Sequence, residues 1–483
     1  MRQELENLVR NGQFESAALM LRELKINKIP REDAATYASI ARRVGLPALS
    51  IKILNPILRG KLPVEIQPTH DEKIQYAASL RALGAIPEAI DLLRPIDPKE
   101  CPQTLFELAL CEIHQWQYAN AIPLLESYLK IANDPPYRLL VCKVNLFASL
   151  TFEGLFAPAD ELIKELMAEN IEQYQLLYSN ILEISAQLEI KRKNWDAAFA
   201  KLEKAKTLLE QAPNSMHALL IEKWWAIALS YKAGKVGAEL QAVREKAIEL
   251  KHWETIRDCD YYSALISGDA KLMTRVYFGT PYESFRNRTL KAWDGELALP
   301  QSYAWNEQDG ATIDQTFDLK TGRVADFELA AGQAMHRLLI ILSRDFYKPI
   351  PIVSVFSQLF PGEYFNPDNS PNRVHQVFKR LRIWLKECAL PLELEEVSSS
   401  YRLHFNNSSF GISIPLNRLP DSCEEIRFQG LAGLVPETFS ANEAQKILGD
   451  SSRNTGRLLQ WAVGNGKLTV CGGGRSTRYK LAG

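Results

Sequence analysis

The sequence is poor in the features that mark several large protein classes. It has seven cysteines, at 101, 111, 142, 259, 388, 423 and 471. They are odd in number, and no two form a CxxC pair. This excludes a disulfide framework and a cysteine-built structural zinc, and it points to a reducing cytoplasm. No apolar run is long enough to span a membrane, and the start, MRQELENLVRNGQ, lacks a signal-peptide apolar core, so no membrane contact is expected. The net charge of -1 excludes a chain that is basic throughout; any basic surface must be local. The seven histidines (70, 114, 217, 252, 336, 375, 404) form no His-x-x-x-His pair. There is no Gly-x-Ser-x-Gly elbow and no phosphate loop ending in Gly-Lys-Ser/Thr. The expectation is therefore a non-enzyme, with no cofactor and no metal. His336, on an apolar stretch, reads as a satisfied core residue, and His375 as the flank of a basic face.

What is present is an ordinary folded composition, 46% hydrophobic and 24% charged over 483 residues, enough for two to four domains. The first half repeats itself. Gly12, Phe14, Ala17 and Leu21 set a pattern of turn residue, apolar, small and large apolar. It returns as Gly45, Pro47, Ser50, Leu54 and as Gly84, Ile86, Ala89, Leu93. Further copies are Trp116, Tyr118, Ala121, Leu125 and Gly154, Phe156, Ala159, Ile163. Weaker ones are Lys193, Trp195, Ala198, Leu202 and Gly234, Val236, Glu239, Val243. Successive copies lie 32 to 41 residues apart. The glycine lets a turn close, the small residue lets paired helices approach, and the large one fills the gap to the next pair. The pattern resembles the tetratricopeptide repeat (TPR), of about 34 residues, over residues 1–275. The resemblance implies a helical solenoid with a concave surface that takes a peptide, a protein or a second copy of the chain. Trp116, Trp195, Trp224 and Trp225 read as core. Residues 276–309 are expected to connect, beginning with a turn at Gly279-Thr280-Pro281 and a helix start that closes the solenoid.

The second half changes character. "ATIDQTFDLKTGRVADF" alternates around Thr321-Gly322, as a hairpin does. Helical stretches follow at Ala331 to Ser343 and Pro351 to Leu359. Then "NSPNRVHQVFKRLRIWL" places Val374, Val377, Phe378, Leu381, Trp384 and Leu385 on one arc, and Asn372, Arg373, Gln376, Lys379 and Arg380 on the other. Ser370 stands where an N-cap belongs and Pro371 where a first helical residue belongs. "LELEEVSSSYRLHF" alternates on both sides of three serines, a second hairpin. This order, hairpin, helix, helix, loop, basic helix, hairpin, resembles the winged-helix effector domain of OmpR/PhoB-type response regulators over residues 310–406. The resemblance implies that the third helix enters the DNA major groove, that the loop before it can touch a polymerase partner, and that the last hairpin is a wing. Asn372, Arg373, Gln376, Lys379 and Arg380 would then face DNA, with Arg402 after the wing turn. Two features depart from that family: a solenoid stands where a receiver domain would, and the wing carries Glu393, Glu395 and Glu396.

After a stretch expected as a linker, 407–435, residues 436–483 form another unit. Ser440 reads as an N-cap for a helix to Leu448, and Ser451 or Ser452 as the cap of a second, with Thr455, Leu458, Leu459 and Ala462 inward and Arg453, Arg457 and Gln460 outward. Strands are expected at Lys467 to Val470 and Arg478 to Leu481, around Gly472-Gly473-Gly474-Arg475. From Phe439 to Leu481 there are seven basic residues against two acidic, a local surplus suited to phosphate. The run resembles the minimal winged helix-turn-helix of many bacterial regulators. On that resemblance Arg453, Arg457, Gln460, Arg475 and Arg478 would contact DNA. The fold class expected is mainly α, a TPR-like solenoid followed by two α+β winged-helix domains. The function expected is a transcription regulator with duplex DNA and a protein or peptide as partners. The alternative is an assembly scaffold of the kind in which a solenoid ends in a winged helix that binds protein, as in PCI-type subunits.

Overall fold

The computed structural model describes residues 2–10, 13–60, 67–209, 216–308, 310–420, 422–472 and 477–482. Gly12, Gly473, Gly474 and Arg475 lie outside the described residues. The chain divides into two compact units, Met1–Leu297 and Ala298–Gly483.

The first unit is a helical solenoid. Its helices run in pairs: α1 (Arg2–Arg10) with α2 (Phe14–Arg22), α3 (Arg31–Arg43) with α4 (Pro47–Arg59), α5 (His70–Ala82) with α6 (Ile86–Leu93), and α7 (Gln103–His114) with α8 (Tyr118–Ile131). The series continues with α9 (Pro136–Glu153) and α10 (Phe156–Ala168), α11 (Gln175–Lys191) and α12 (Trp195–Leu208), α13 (Met216–Ala233) and α14 (Ala238–Glu249), and α15 (Trp253–Ser267) and α16 (Ala270–Phe278). A last helix, α17 (Glu283–Ala292), ends it. The turn residues of the repeat sit in the left-handed region: Gly45, Gly84, Gly154, Gly234 and, in an eighth copy, Gly268. Glycine takes that conformation without the steric cost a side chain incurs. Trp116 (φ 61°) and Lys193 (φ 62°) take it too, as non-glycine residues, so the turn is imposed by helix packing and not by glycine alone.

The small positions Ala17, Ser50, Ala89, Ala121, Ala159 and Ala198 are fully buried, and so are Leu21, Leu54, Leu93, Leu125 and Leu202. Two copies differ from expectation. In the fifth, Leu162 and Leu166 fill the gap and Ile163 is only half-buried. In the seventh, Glu239 is exposed and Leu240 packs inward beside Val243. The turn there spans Gly234 to Gly237, one residue longer than at Gly84, so the inward register slips by one. The solenoid also runs past residue 275: α16 and α17 occupy much of the segment expected to connect, and Phe285 of α17 is buried.

The second unit holds two modules. In the first, β1 (Ser302–Trp305), β2 (Gln315–Asp318), β3 (Arg323–Val324) and β4 (Phe327–Glu328) precede helix α18 (Ala334–Leu342). Then come β5 (Ile350–Pro351), α19 (Ile352–Leu359), α20 (Ser370–Glu387) and the strands β6 (Leu392–Val397), β7 (Ser400–Phe405) and β8 (Phe410–Pro415). One sheet has the order β1-β8-β2-β3-β4 and the other β5-β7-β6. β8 pairs antiparallel with β1 and parallel with β2. The first hairpin forms as expected, with Asp318 opposite Arg323 and Gly322 in the left-handed turn. The wing turn puts Ser398 and Ser399 both at positive φ, the two-residue turn whose twist matches a hairpin. His336 is fully buried, with Nδ1 accepting the Gly332 N–H at 3.0 Å and Nε2 2.9 Å from the Leu319 carbonyl. It is the satisfied core residue expected, tying α18 to the first hairpin. Arg337 donates to the carbonyls of Gln358 and Leu359, closing the end of α19 just before the loop that leads into α20.

The segment 407–435, expected as a linker, is structured. It contributes β8 to the first module and α21 (Cys423–Ala432) to the second. α21 packs Phe428 and Leu431 against Phe439, Ala444, Leu458, Leu459, Ala462 and Leu468. The second module thus has three helices, α21, α22 (Ala441–Leu448) and α23 (Ser452–Gly464), with strands β9 (Thr438–Phe439), β10 (Leu468–Cys471) and β11 (Arg478–Leu481) in the order β10-β11-β9. The short, half-polar sequence of α21 hid an apolar stripe of three buried residues, Ile426, Phe428 and Leu431. No helix among the described residues is long and apolar enough to cross a membrane.

Candidate functional site

The basic helix expected within "NSPNRVHQVFKRLRIWL" is α20. Val374, Val377, Phe378, Leu381 and Leu385 are buried, and Trp384 is half-buried with its ring edge toward Phe317. Asn372, Arg373, Gln376, Lys379 and Arg380 are all exposed. Ser370 is not the cap but the first helical residue; it is buried, and its Oγ accepts the Asn366 N–H at 2.9 Å. The cap position falls to Asn369, because the Asn366 turn has already taken the serine hydroxyl.

Two of the six residues expected on DNA in this module are engaged by the module's own acids. Arg373 pairs with Glu363, from the loop between α19 and α20, with one contact at 3.0 Å, and lies 4.0 Å over the Phe360 ring. The guanidinium holds the Glu363 carboxyl below its usual range. Arg402 donates to Glu395 across the wing at 2.5 Å. Lys379 and Arg380 have no ion-pair partner among the described residues, and the first turn of α20 has no acid.

In the second module, Ser440 caps α22 and Glu443 returns the bond, a complete capping box. Ser451 caps α23 by accepting the Asn454 N–H. Thr455, Leu458, Leu459 and Ala462 are buried, while Arg453, Arg457 and Gln460 are exposed. Neither arginine has an ion-pair partner among the described residues, and no acid stands in the first turn of α23. Arg478 turns away from that face: it donates to the Thr438 carbonyl at 3.1 Å and lies 3.6 Å from Glu443. With α21 included, residues 422–483 carry eight basic against five acidic residues. The surplus is smaller than the terminal stretch alone implies, because residues 422–438 add three acids and one base; two of those acids are paired, Glu425 with Lys467 and Glu437 with Lys480.

The solenoid holds a site that the sequence reading passed over. A cavity of about 230 Å³ opens between α9, α11, α13, α15 and α17, and a second of about 190 Å³ adjoins it, sharing Gln187, Trp224 and Tyr262. Trp116, Trp195 and Trp224, expected in the core, line these cavities. Trp225 instead packs on Phe199. Charges stand among the aromatics. Lys223 is buried and donates to Asp258 at 2.6 Å. Glu183 is buried, accepts from Gln187 at 2.7 Å, and has its carboxyl pushed up by burial against the opposing pull of Lys223. Lys191 donates to the Thr151 and Phe152 carbonyls, and burial lowers its ammonium to about 7. The legible sign was the charged pair Glu222-Lys223 inside the otherwise apolar run "LLIEKWWAIAL", where a repeat's inner helix faces its neighbours. Among the described residues no group of three or more His, Cys, Asp or Glu stands close enough together to hold a metal.

No family model matches the chain, and no curated protein matches it. Solved structures resemble it in part. One is a Rap protein complexed with competence and sporulation factor, at 15% identity and a TM-score of 0.40, over 57% of this chain and 84% of that one. Another is aspartyl phosphate phosphatase F from Bacillus subtilis, at 12% identity and a TM-score of 0.35, over 57% of this chain and 81% of that one.

Proposed function

We propose that this chain is a DNA-binding transcription regulator in which the winged-helix unit contacts duplex DNA and the TPR-like solenoid takes a peptide or protein partner. The observation that carries the reading is the third helix of each module. α20 and α23 expose Arg, Lys, Asn and Gln on one face, with no acid in the first turn, whereas α21 and α22 begin on Glu424, Glu425 and Glu443. A helix N-terminus free of carboxylates, with arginines on its outer face, suits a polyanion. Arginine fits guanine edges, Asn and Gln fit adenine, and lysine holds phosphate. The reading includes no catalytic step.

Salt dependence of duplex binding by the full chain tests it. Each phosphate neutralised contributes about 0.9 to the slope of log affinity against log salt. Arg453→Ala with Arg457→Ala should lower that slope by about two. A wild-type chain with no salt-dependent affinity for any duplex in a random pool overturns the reading.

A second reading is favoured for the first module alone. Arg373 and Arg402 are held by Glu363 and Glu395, and the wing also exposes Glu393 and Glu396. A face of paired charges suits a protein partner as well as a phosphate backbone, and on that reading the first module assembles while the second binds DNA. If Lys379→Ala leaves the salt slope unchanged while Arg453→Ala lowers it, the first module is the assembly element.

A further inference from the structure

The two solenoid cavities form one two-lobed space, since they share Gln187, Trp224 and Tyr262. Taken together, lobes of about 230 Å³ and about 190 Å³ reach the range of roughly 300–1,000 Å³ that holds a whole small-molecule ligand. A continuous wall of rings runs through both lobes. Trp195 stacks on Tyr231 with ring centres 6.1 Å apart, Tyr231 meets Tyr262 edge-on at 6.1 Å, and Tyr262 meets Trp224 edge-on at 5.3 Å. Aromatic rings take offset or edge-to-face partners, and a flat guest finds both edges and faces on this wall.

The charges that line this space do not balance. Among the described residues its acids are Glu183 and Asp258, and its cations are Lys191, Lys193, Lys223 and Arg288. Lys223 and Asp258 neutralise each other at 2.6 Å, and burial pushes the Glu183 carboxyl toward its uncharged form. Lys191 and Arg288 remain, both half-buried and both beside one ring: the Arg288 guanidinium carbon is 4.9 Å and the Lys191 ammonium 5.7 Å from the centre of Phe152. Neither has a carboxylate at ion-pair distance among the described residues. Lys191 spends two of its three donors on the Thr151 and Phe152 carbonyls, and burial together with the charge of Arg288 disfavours its ammonium. An anion set between two half-desolvated cations relieves their repulsion and gains charge-assisted hydrogen bonds.

We infer that this two-lobed space binds one small aromatic carboxylate of two ring units, with its rings against Trp224 and Tyr262 and its carboxylate between Arg288 and Lys191. The ligand is an acid because the lining is left with unneutralised cations. It is aromatic because the residues shared by both lobes are two rings and a carboxamide, and two ring units match two lobes that meet there. This site is additional to the peptide or protein partner proposed for the solenoid and stands without it.

The test titrates the full chain by calorimetry with naphthoate and biphenylcarboxylate, with the amide of each, and with octanoate as an aliphatic acid. At least one of the aromatic acids should saturate a single site per chain with a Kd below about 1 mM. It should bind at least about tenfold more tightly than its amide, the value of a charge-assisted hydrogen bond, and several-fold more tightly than octanoate. Arg288→Gln should bring the acid down to the level of its amide, and Lys191→Met should weaken the acid several-fold while leaving the amide unchanged. Acid and amide bound equally overturn the anion assignment, and octanoate bound as tightly as the aromatic acids overturns the aromatic one. Acid binding that neither substitution changes lies elsewhere on the chain and overturns the site. No saturable binding of either aromatic acid overturns the inference as a whole. Should Arg288→Gln fail to fold, Lys191→Met and the wild-type comparison of acid with amide decide.

Discussion

Lys191 lies with its ammonium against the last carbonyls of α9, in a setting that lowers its pKa to about 7. An unfolded lysine titrates near 10.4. Between those values the unfolded chain binds more protons than the folded one, so stability rises with pH across the window and the penalty is full below pH 7. Lys191→Met should lack that rise. The difference in urea unfolding free energy, wild type minus variant, should grow by about 1 to 2 kcal/mol from pH 7 to pH 9, discounted for partial exposure; a flat difference means that the ammonium is solvated. The small residues of the repeat act by volume. Ala198 is fully buried between α12 and its neighbours, and Ala198→Leu should cost about 1 to 3 kcal/mol through overpacking, read as a lower urea midpoint with unchanged slope. The seventh copy breaks the same rule only in appearance, since Leu240 and not Glu239 faces inward.

Helix α22 is closed by a reciprocal pair, Ser440 with Glu443, and Ser440→Ala should cost about 1 kcal/mol, seen as a lower melting temperature of the second unit. On α20, Glu363 competes with DNA for Arg373. Under the DNA reading, Glu363→Gln should therefore tighten duplex binding several-fold at low salt, as charge-pair competition is removed; no change in anisotropy titrations places Arg373 away from the duplex. Long periodic elements were legible from the residues: the inward stripe of α20, the serine wing turn, the caps at Ser440 and Ser451, and six of the seven turn positions of the repeat, the seventh, Gly12, being undescribed. What was not legible was of two kinds. β8 is short and its pairing partners, β1 and β2, lie about 100 residues earlier, and α21 is short and half-polar, so a local window reads both as a linker. The cavity is assembled from five helices, two to four residues from each, and no single stretch carries its pattern. Arg373 and Arg402 were legible as exposed cations, but their partners Glu363 and Glu395 became visible only through the fold.

At the scale of the molecule, the division at Leu297 and Ala298 moves the boundary that matters for dissection. β1 pairs with β8 over Ser302–Trp305, and Trp305 stacks on Phe346 at 4.3 Å. A fragment of residues 298–483 should unfold cooperatively, whereas one of residues 310–483 loses β1 and a buried tryptophan and should be less stable by about 3 kcal/mol or more; equal melting curves would show that β1 is dispensable. The placement of β8 between β1 and β2 has a consequence for how the protein is made. During synthesis β1 and β2 emerge early, with no neighbour on the edges they turn toward each other. Those edges stay open until residue 415 has left the ribosome, after α18, α19, α20 and the wing. Until then the nascent chain exposes two unpaired strand edges, the state most prone to pairing with another copy. A ribosome stalled before Phe410 should hold a chain that chaperones capture, and one stalled well past Pro415 a chain that they release.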